Sequence, residues 1–246
     1  MLPYEVQATA AMIAFARIGT AMMFLPGFGE ARIPGRHRLA LAMILSLGLM
    51  PLIPVVPPSQ STLLALLIAR EALIGLYIGV GARILFTVTH SLGALIAFVS
   101  SFTNALSSGD TTYEGSTVVT SLLTIGGVAL IFLTDTHHLM IKGLFASYEA
   151  IPPTWTPLGD MSEQLVKLAS KSLYITLMLG APFVILGILL NLSLGLANRV
   201  MPGMPVFFVA GPAIIFLGLW LLTLTHGAIM SQFIDTFAEF FGTLTP

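Results

Sequence analysis

Charged and amide side chains stand inside otherwise apolar stretches of this sequence, at Arg17, Arg70, Glu71, Arg83, Asn191 and Arg199. An ionised group at the centre of a bilayer costs about 2.5 to 3.5 kcal/mol on insertion scales, so each needs a partner or a place outside the hydrocarbon. Arg70 and Glu71 are neighbours in sequence and point in different directions on a helix, so neither is the other's partner. Two chemistries follow. In a transporter these groups line a substrate or proton path; in a subunit of a larger assembly they pack against other helices or are wetted by a pore. Reaching the membrane interface along an apolar stem is a third placement, open to Arg17 and Arg83.

Catalytic chemistry finds less support. Asp135, His137 and His138 stand close in "TDTHHLMIKG" and bring a metal to mind. Adjacent residues on a helix point about 100° apart, however, whereas ligands on one helix need a spacing of three or four. The expected reading is an interfacial helix end carrying polar side chains, with no metal and no cofactor. The sequence has no G-x-x-x-x-G-K-[ST] to cradle a phosphate, no G-x-S-x-G elbow and no H-E-x-x-H. Without cysteine, disulfides and thiolate ligands are excluded.

Those residues are set in a chain of 246 residues that is 56% hydrophobic and 9% charged, with a mean hydropathy of +0.96. This lies far outside the composition of a soluble domain, and helices in lipid are the expected architecture. The net charge is −1 and no basic block occurs, which leaves no footprint for nucleic acid. The opening "MLPYEVQATAAMIAFARIGTAMMFLP" has no Lys or Arg ahead of its apolar run, unlike a cleaved leader, and is expected to be a retained first helix.

Apolar periodicity predicts helices over about 6–25, 39–50, 61–100, 117–133, 162–198 and 212–240. The second is roughly 18 Å long, short of a hydrocarbon core of about 30 Å. The third is about twice one crossing: either it breaks near Gly79-Val80-Gly81 or it is one long helix not confined to the bilayer. Gly75 and Gly79 form a G-x-x-x-G that lets two backbones approach closely. The basic connector with Arg32, Arg36 and Arg38, and the region of Lys142, Lys167 and Lys171, are expected on the cytoplasmic side. The acidic stretch "SSFTNALSSGDTTYEGS" then falls outside, and Arg199 falls on the wrong side. The segment "NLSLGLANRVMPGMPVFFVAGP" is interrupted by Pro202, Gly203, Pro205, Gly211 and Pro212, where a hairpin break is expected.

Three blocks in order carry a resemblance. In "ARIGTAMMFLPGFGEARIPGRHRLALAM", Arg17, Pro26, Glu30, Pro34, Arg36 and Leu39 stand as they do in the FliR family of flagellar export subunits and its injectisome counterparts. "REALIGLYIGVGARILF" is the second block. The third has Asn191, Leu194-Gly195-Leu196, Asn198-Arg199, Pro202 and Val206-Phe207. The likeness covers nearly the whole chain.

The resemblance implies an all-α, polytopic membrane protein of bent helical hairpins with discontinuous helices. Its first part, about 1–133, would be FliP-like and its second, about 134–246, FliQ-like. It implies a non-enzymatic subunit of a helical export gate in the bacterial inner membrane and flagellar basal body. FliP-like and FliQ-like subunits, FlhB and FlhA are the implied partners beside lipid, and unfolded flagellar proteins the cargo. Arg17, Glu30, Arg70, Glu71, Arg83, Asn191 and Arg199 then serve as contacts between helices or between subunits. The central polar segment, with Phe102, Asn104, Ser107, Ser108, Gly109, Asp110 and Thr111, would be part of the plug that closes the conduit, and its small flexible residues suit rearrangement. The rival readings are an injectisome homologue and a secondary transporter for a small solute, which would also use broken helices and buried charge.

Overall fold

A computed structural model describes residues 4–30, 32–52, 60–100, 118–152, 158–201 and 206–244. These residues form seven α-helices and contain no strand. In chain order they are α1 (Tyr4–Phe24), α2 (Gly35–Leu49), α3 (Ser61–Val99), α4 (Val118–Leu133), α5 (Thr136–Ala150), α6 (Leu158–Val200) and α7 (Val206–Gly242), with a single 3-10 turn, Met50–Leu52, after α2. The plug residues Phe102, Asn104, Ser107, Ser108, Gly109, Asp110 and Thr111 and the break residues Pro202, Gly203 and Pro205 lie outside the described residues.

Four stretches are long and apolar enough to cross a membrane: Val6–Phe24, Ser61–Val99, Gly159–Val200 and Ala210–Gly242. A fifth candidate is α4 with α5, bent by 73° at a short break. With no water to bond stray N–H and C=O groups, a chain in lipid keeps its helices whole wherever it can. This decides one alternative that the sequence leaves open and accounts for one departure from it; a further departure is α5, in a stretch where the sequence predicts no helix. The third helix is unbroken through Gly79-Val80-Gly81 over its 39 residues. Gly211 and Pro212, expected at the hairpin break, lie inside α7, which begins six residues earlier than predicted, at Val206. Proline there forfeits one backbone bond, whereas breaking the helix would expose about four donors and four acceptors. Pro182 is carried inside α6 for the same reason.

At 39, 43 and 37 residues, α3, α6 and α7 are each roughly 55 to 65 Å long at 1.5 Å per residue, about twice a bilayer core. By contrast α2, with 15 residues, reaches about 22 Å and does not span alone. It buries only Ala42 and Ser46 and exposes Met43, Ile44 and Leu47.

The chain divides into two compact units, each built from segments of both halves of the sequence. The first comprises Met1–Phe86, Ile131–Ser170 and Asp235–Pro246; the second comprises Thr87–Leu130 and Lys171–Ile234. The expected parts 1–133 and 134–246 are divisions of sequence likeness, whereas these units are divisions of contact.

In the first unit, α1 stops at a tight turn where Gly27 takes the left-handed conformation at φ 82°. The Phe28 and Gly29 amides both donate to the Leu25 carbonyl, at 3.2 and 2.7 Å. A side chain at Gly27 would meet the Phe132 ring at 2.9 Å. Phe240 and Phe241, at the end of α7, lie against Gly81 of α3 and Gly143 of α5 respectively.

In the second unit the core gathers Leu92 and Ile96 of α3, Leu123 of α4, Phe183 of α6, and Ile229 and Met230 of α7. Glycines mark the close approaches within it. A Cβ on Gly93 would stand 2.6 Å from the Thr120 Cα, and one on Gly180 would stand 2.8 Å from Leu95. Gly93→Ala is therefore expected to destabilise the purified chain by about 1 to 3 kcal/mol through overpacking. Gly195→Ala, with nothing within 4 Å of its Cβ position, should be neutral or gain up to about 1 kcal/mol of helix propensity. Thermal unfolding in detergent distinguishes the two; equal behaviour would contradict the packing described.

Candidate functional site

Arg17 on α1 is completely buried, and so is Glu71 on α3. The guanidinium has five N–H donors in a planar fork and does not lose its charge, so once removed from water every donor needs an acceptor. The fold supplies them all. Nε donates to Glu71 Oε2 at 2.6 Å, and Nη2 to Glu71 Oε1 at 3.1 Å. The second Nη2 donor reaches the Ile151 carbonyl at 3.0 Å. Nη1 donates to the Ser147 carbonyl at 2.8 Å and to Ser147 Oγ at 3.2 Å. Tyr148 closes the site from one face, its ring centroid 4.0 Å from the guanidinium carbon.

Two electrostatic effects act together here. The bidentate carboxylate neutralises the cation, and the cation also caps the C-terminal end of α5, where unsatisfied carbonyls give a partial negative charge. Ser147 is occupied twice over: its carbonyl also takes the Ile151 amide at 2.9 Å, and its hydroxyl donates to the Leu144 carbonyl at 2.6 Å.

The approach of α1 to α3 depends on a stripe of residues four apart on α3: Glu71, Gly75, Gly79 and Arg83. Residues at this spacing share one helix face. Gly75 sits one turn beyond Glu71, and any side chain there would run into the Arg17 carbonyl and the Thr20 hydroxyl. Thr20 Oγ1 lies 3.2 Å from the Ala72 carbonyl across the same crossing. One turn further, a Cβ at Gly79 would meet Phe24 at 2.8 Å and the Ala21 carbonyl at 2.9 Å. Arg83 ends the stripe, pairing through Nη1 with Glu30 Oε1 at 2.8 Å in the connector after α1. Of the sequence-predicted residues, then, Arg17 meets Glu71 and Arg83 meets Glu30, while Gly75 and Gly79 let the two helices come close enough for both pairs.

The remaining predicted residues are not brought into this cluster. Arg70 is half-buried and has no ion pair among the described residues. Asn191 is exposed on α6, its Nδ2 donating to the Gly187 carbonyl at 2.9 Å. Arg199 is exposed in the last turn of α6, where a cation complements the helix dipole. Sequence reasoning missed Ser147, Tyr148 and Ile151, which act partly through backbone atoms that no residue pattern reveals. It also missed the hydrogen bond from the Tyr77 hydroxyl to Gln164 Oε1, joining α3 to α6.

At the α4–α5 bend, Asp135 takes a left-handed conformation at φ 57°. It precedes the first turn of α5 and lies 3.5 Å from His138 Nδ1. The rings of His137 and His138 lie side by side with centroids 4.1 Å apart.

Membrane-length helices, a buried ion-paired clamp and apolar faces open to the outside define a multi-pass helical membrane protein. Residues 8–240 match the family described as Bacterial export proteins, family 1. The flagellar biosynthetic protein FliR of Caulobacter vibrioides is 35% identical over 97% of each chain. FliR of Escherichia coli is 26% identical over 89% of this chain and 85% of its own. The surface presentation of antigens protein SpaR of Salmonella typhimurium is 24% identical over 82% of this chain and 76% of its own. The chain belongs to the bacterial export protein family that includes FliR, and it is a subunit of the flagellar or type III export apparatus.

Removing one member of the buried pair strands the other. Arg17→Met and Glu71→Leu are each expected to lower stability by about 3 to 5 kcal/mol, and the double variant by less than the sum. Arg83→Gln, at the half-exposed pair, should lose about 1 kcal/mol or less. Unfolding of the detergent-purified variants checks this, and strictly additive losses at 17 and 71 would contradict the pairing.

Proposed function

We propose that this chain is a non-enzymatic subunit of the flagellar protein-export gate. With FliP-like and FliQ-like subunits it forms the channel through which unfolded flagellar proteins leave the cell. Its place is the inner membrane at the flagellar basal body, next to FlhB-like and FlhA-like proteins. The observation that carries the reading is the extent of apolar surface open on helices about twice as long as a bilayer is thick. Along α6 alone, Leu173, Leu177, Ile185, Ile188, Leu192 and Leu196 are exposed. Lipid covers only about 30 Å of such a helix, so the rest calls for other apolar helices.

Membership of the export family supports the same reading, and the relative named for flagellar biosynthesis at 35% identity favours the flagellar form over the injectisome form. A solute transporter would satisfy its own surface within the bilayer and act alone. In the gate reading the chain shapes and seals a conduit without chemistry on its cargo. The segment about 102–116, with Phe102, Asn104 and Asp110, forms part of the closed plug.

Purification from native membranes in mild detergent is expected to bring out this chain with FliP-like and FliQ-like proteins. A lone chain that moves a solute when reconstituted would overturn the proposal. Deleting residues 107–112 should raise ion leakage through the closed, reconstituted complex; unchanged conductance would remove the plug role from this segment.

A further inference from the structure

We propose that the α4–α5 bend binds a divalent transition-metal ion through Asp135, His137 and His138. Consecutive histidines within a helix diverge by about 100°, which disfavours a shared ion. At this position the helix is only starting. Asp135 is left-handed and outside helical register, and the two imidazoles lie beside each other on the first turn of α5. One ligand atom from each of the three residues lies within 4.8 Å of the other two. Among the described residues no second group of three His, Asp or Glu side chains comes together in this way.

The surroundings hold one imidazole as a ligand needs to be held. His137 lies against the Phe132 ring at a centroid distance of 5.1 Å. Phe132 in turn meets Phe28 edge-on at 5.7 Å, beside Gly27. His137 Nδ1 is 3.4 Å from the Ile131 carbonyl. Metal-binding histidines commonly direct their second ring nitrogen to such a carbonyl, which leaves the other nitrogen's lone pair for the ion.

The other two ligands are free to adjust, since the side chains of Asp135 and His138 are 79% and 63% exposed. Ligand bonds of about 2.0 to 2.2 Å put neighbouring donor atoms roughly 3.4 Å apart, so closing the site needs only side-chain rotation. Two imidazoles and one carboxylate suit zinc, nickel, cobalt or copper, whereas magnesium and calcium want oxygen ligands. Water fills the remaining positions of so open a site. A bound ion would tie the left-handed residue at the break to the first turn of α5 and stiffen the bend.

The test is calorimetric titration of zinc and nickel chloride into the full-length chain carrying no histidine tag. One ion per chain is expected, with magnesium giving no heat of binding. Replacing both histidines, His137→Ala with His138→Ala, should weaken binding at least about tenfold, and replacing His37 and His226 by Ala should change it less than about twofold. Asp135→Asn keeps the side chain's shape and suits the left-handed backbone, so it supplies an independent loss of binding without disturbing the fold. Absence of binding at about 100 µM metal, or binding that the Asp135 and double-histidine variants leave unchanged, would overturn the proposal.

Discussion

A guanidinium that cannot shed its proton, placed where no water reaches it, constrains its surroundings more than any other group in this chain. Arg17 uses all five donors, and its acceptors come from two other helices: the Glu71 carboxylate on α3, and the carbonyls and hydroxyl at the end of α5. Three segments far apart in sequence are thereby fixed at one point. An apolar contact tolerates sliding, because dispersion has little direction. A bidentate ion pair combined with carbonyl bonds does not, because each donor has a direction as well as a distance. Gly75 and Gly79 are the corollary, since the arginine reaches its partners only if the α1 and α3 backbones come closer than side chains normally allow.

Outside that point, the first unit relies on aromatic packing at glycines, and the second on an apolar core with glycines at its crossings. Large apolar side chains remain exposed on several helices. Burying polar groups tightly while leaving apolar surface open suits a chain whose helices stand in apolar surroundings. The Arg17–Glu71 charge is satisfied internally, and much of what the long helices leave open is hydrocarbon. In lipid the same economy keeps Pro182 and Pro212 inside continuous helices, because one lost bond is less costly than an open helix end.

Much of the architecture was legible in the residue order. Periodic apolar runs located six of the seven helices of the described residues, and the short second run and the double-length third run were visible as lengths. The helix α5, Thr136–Ala150, was not among them, because its polar first turn and mixed composition carry no long apolar run. The errors have physical causes. Gly211-Pro212 reads as a break by local propensity, yet membrane-like surroundings favour continuity over propensity. Asp135-Thr136-His137-His138 reads as the polar end of the helix before it, whereas a new helix starts there, and the left-handed backbone at Asp135 that turns the chain leaves no mark in the residue types.

Hydropathy and charge by themselves determined that this is a helical membrane protein, and three blocks in order, around Arg17 and Glu30, Glu71 and Arg83, and Asn191 and Arg199, carried the resemblance to its family. These properties are local, read from runs and neighbours. Which charge meets which was decided only in three dimensions. Arg17 finds Glu71 rather than a membrane interface, and Arg83 finds Glu30, because glycines on one face of α3 set the depth and register at which α1 docks. Ser147, Tyr148 and Ile151 entered the site for the same reason. They contribute backbone carbonyls, a hydroxyl and a ring face whose role exists only once the end of α5 stands beside the guanidinium.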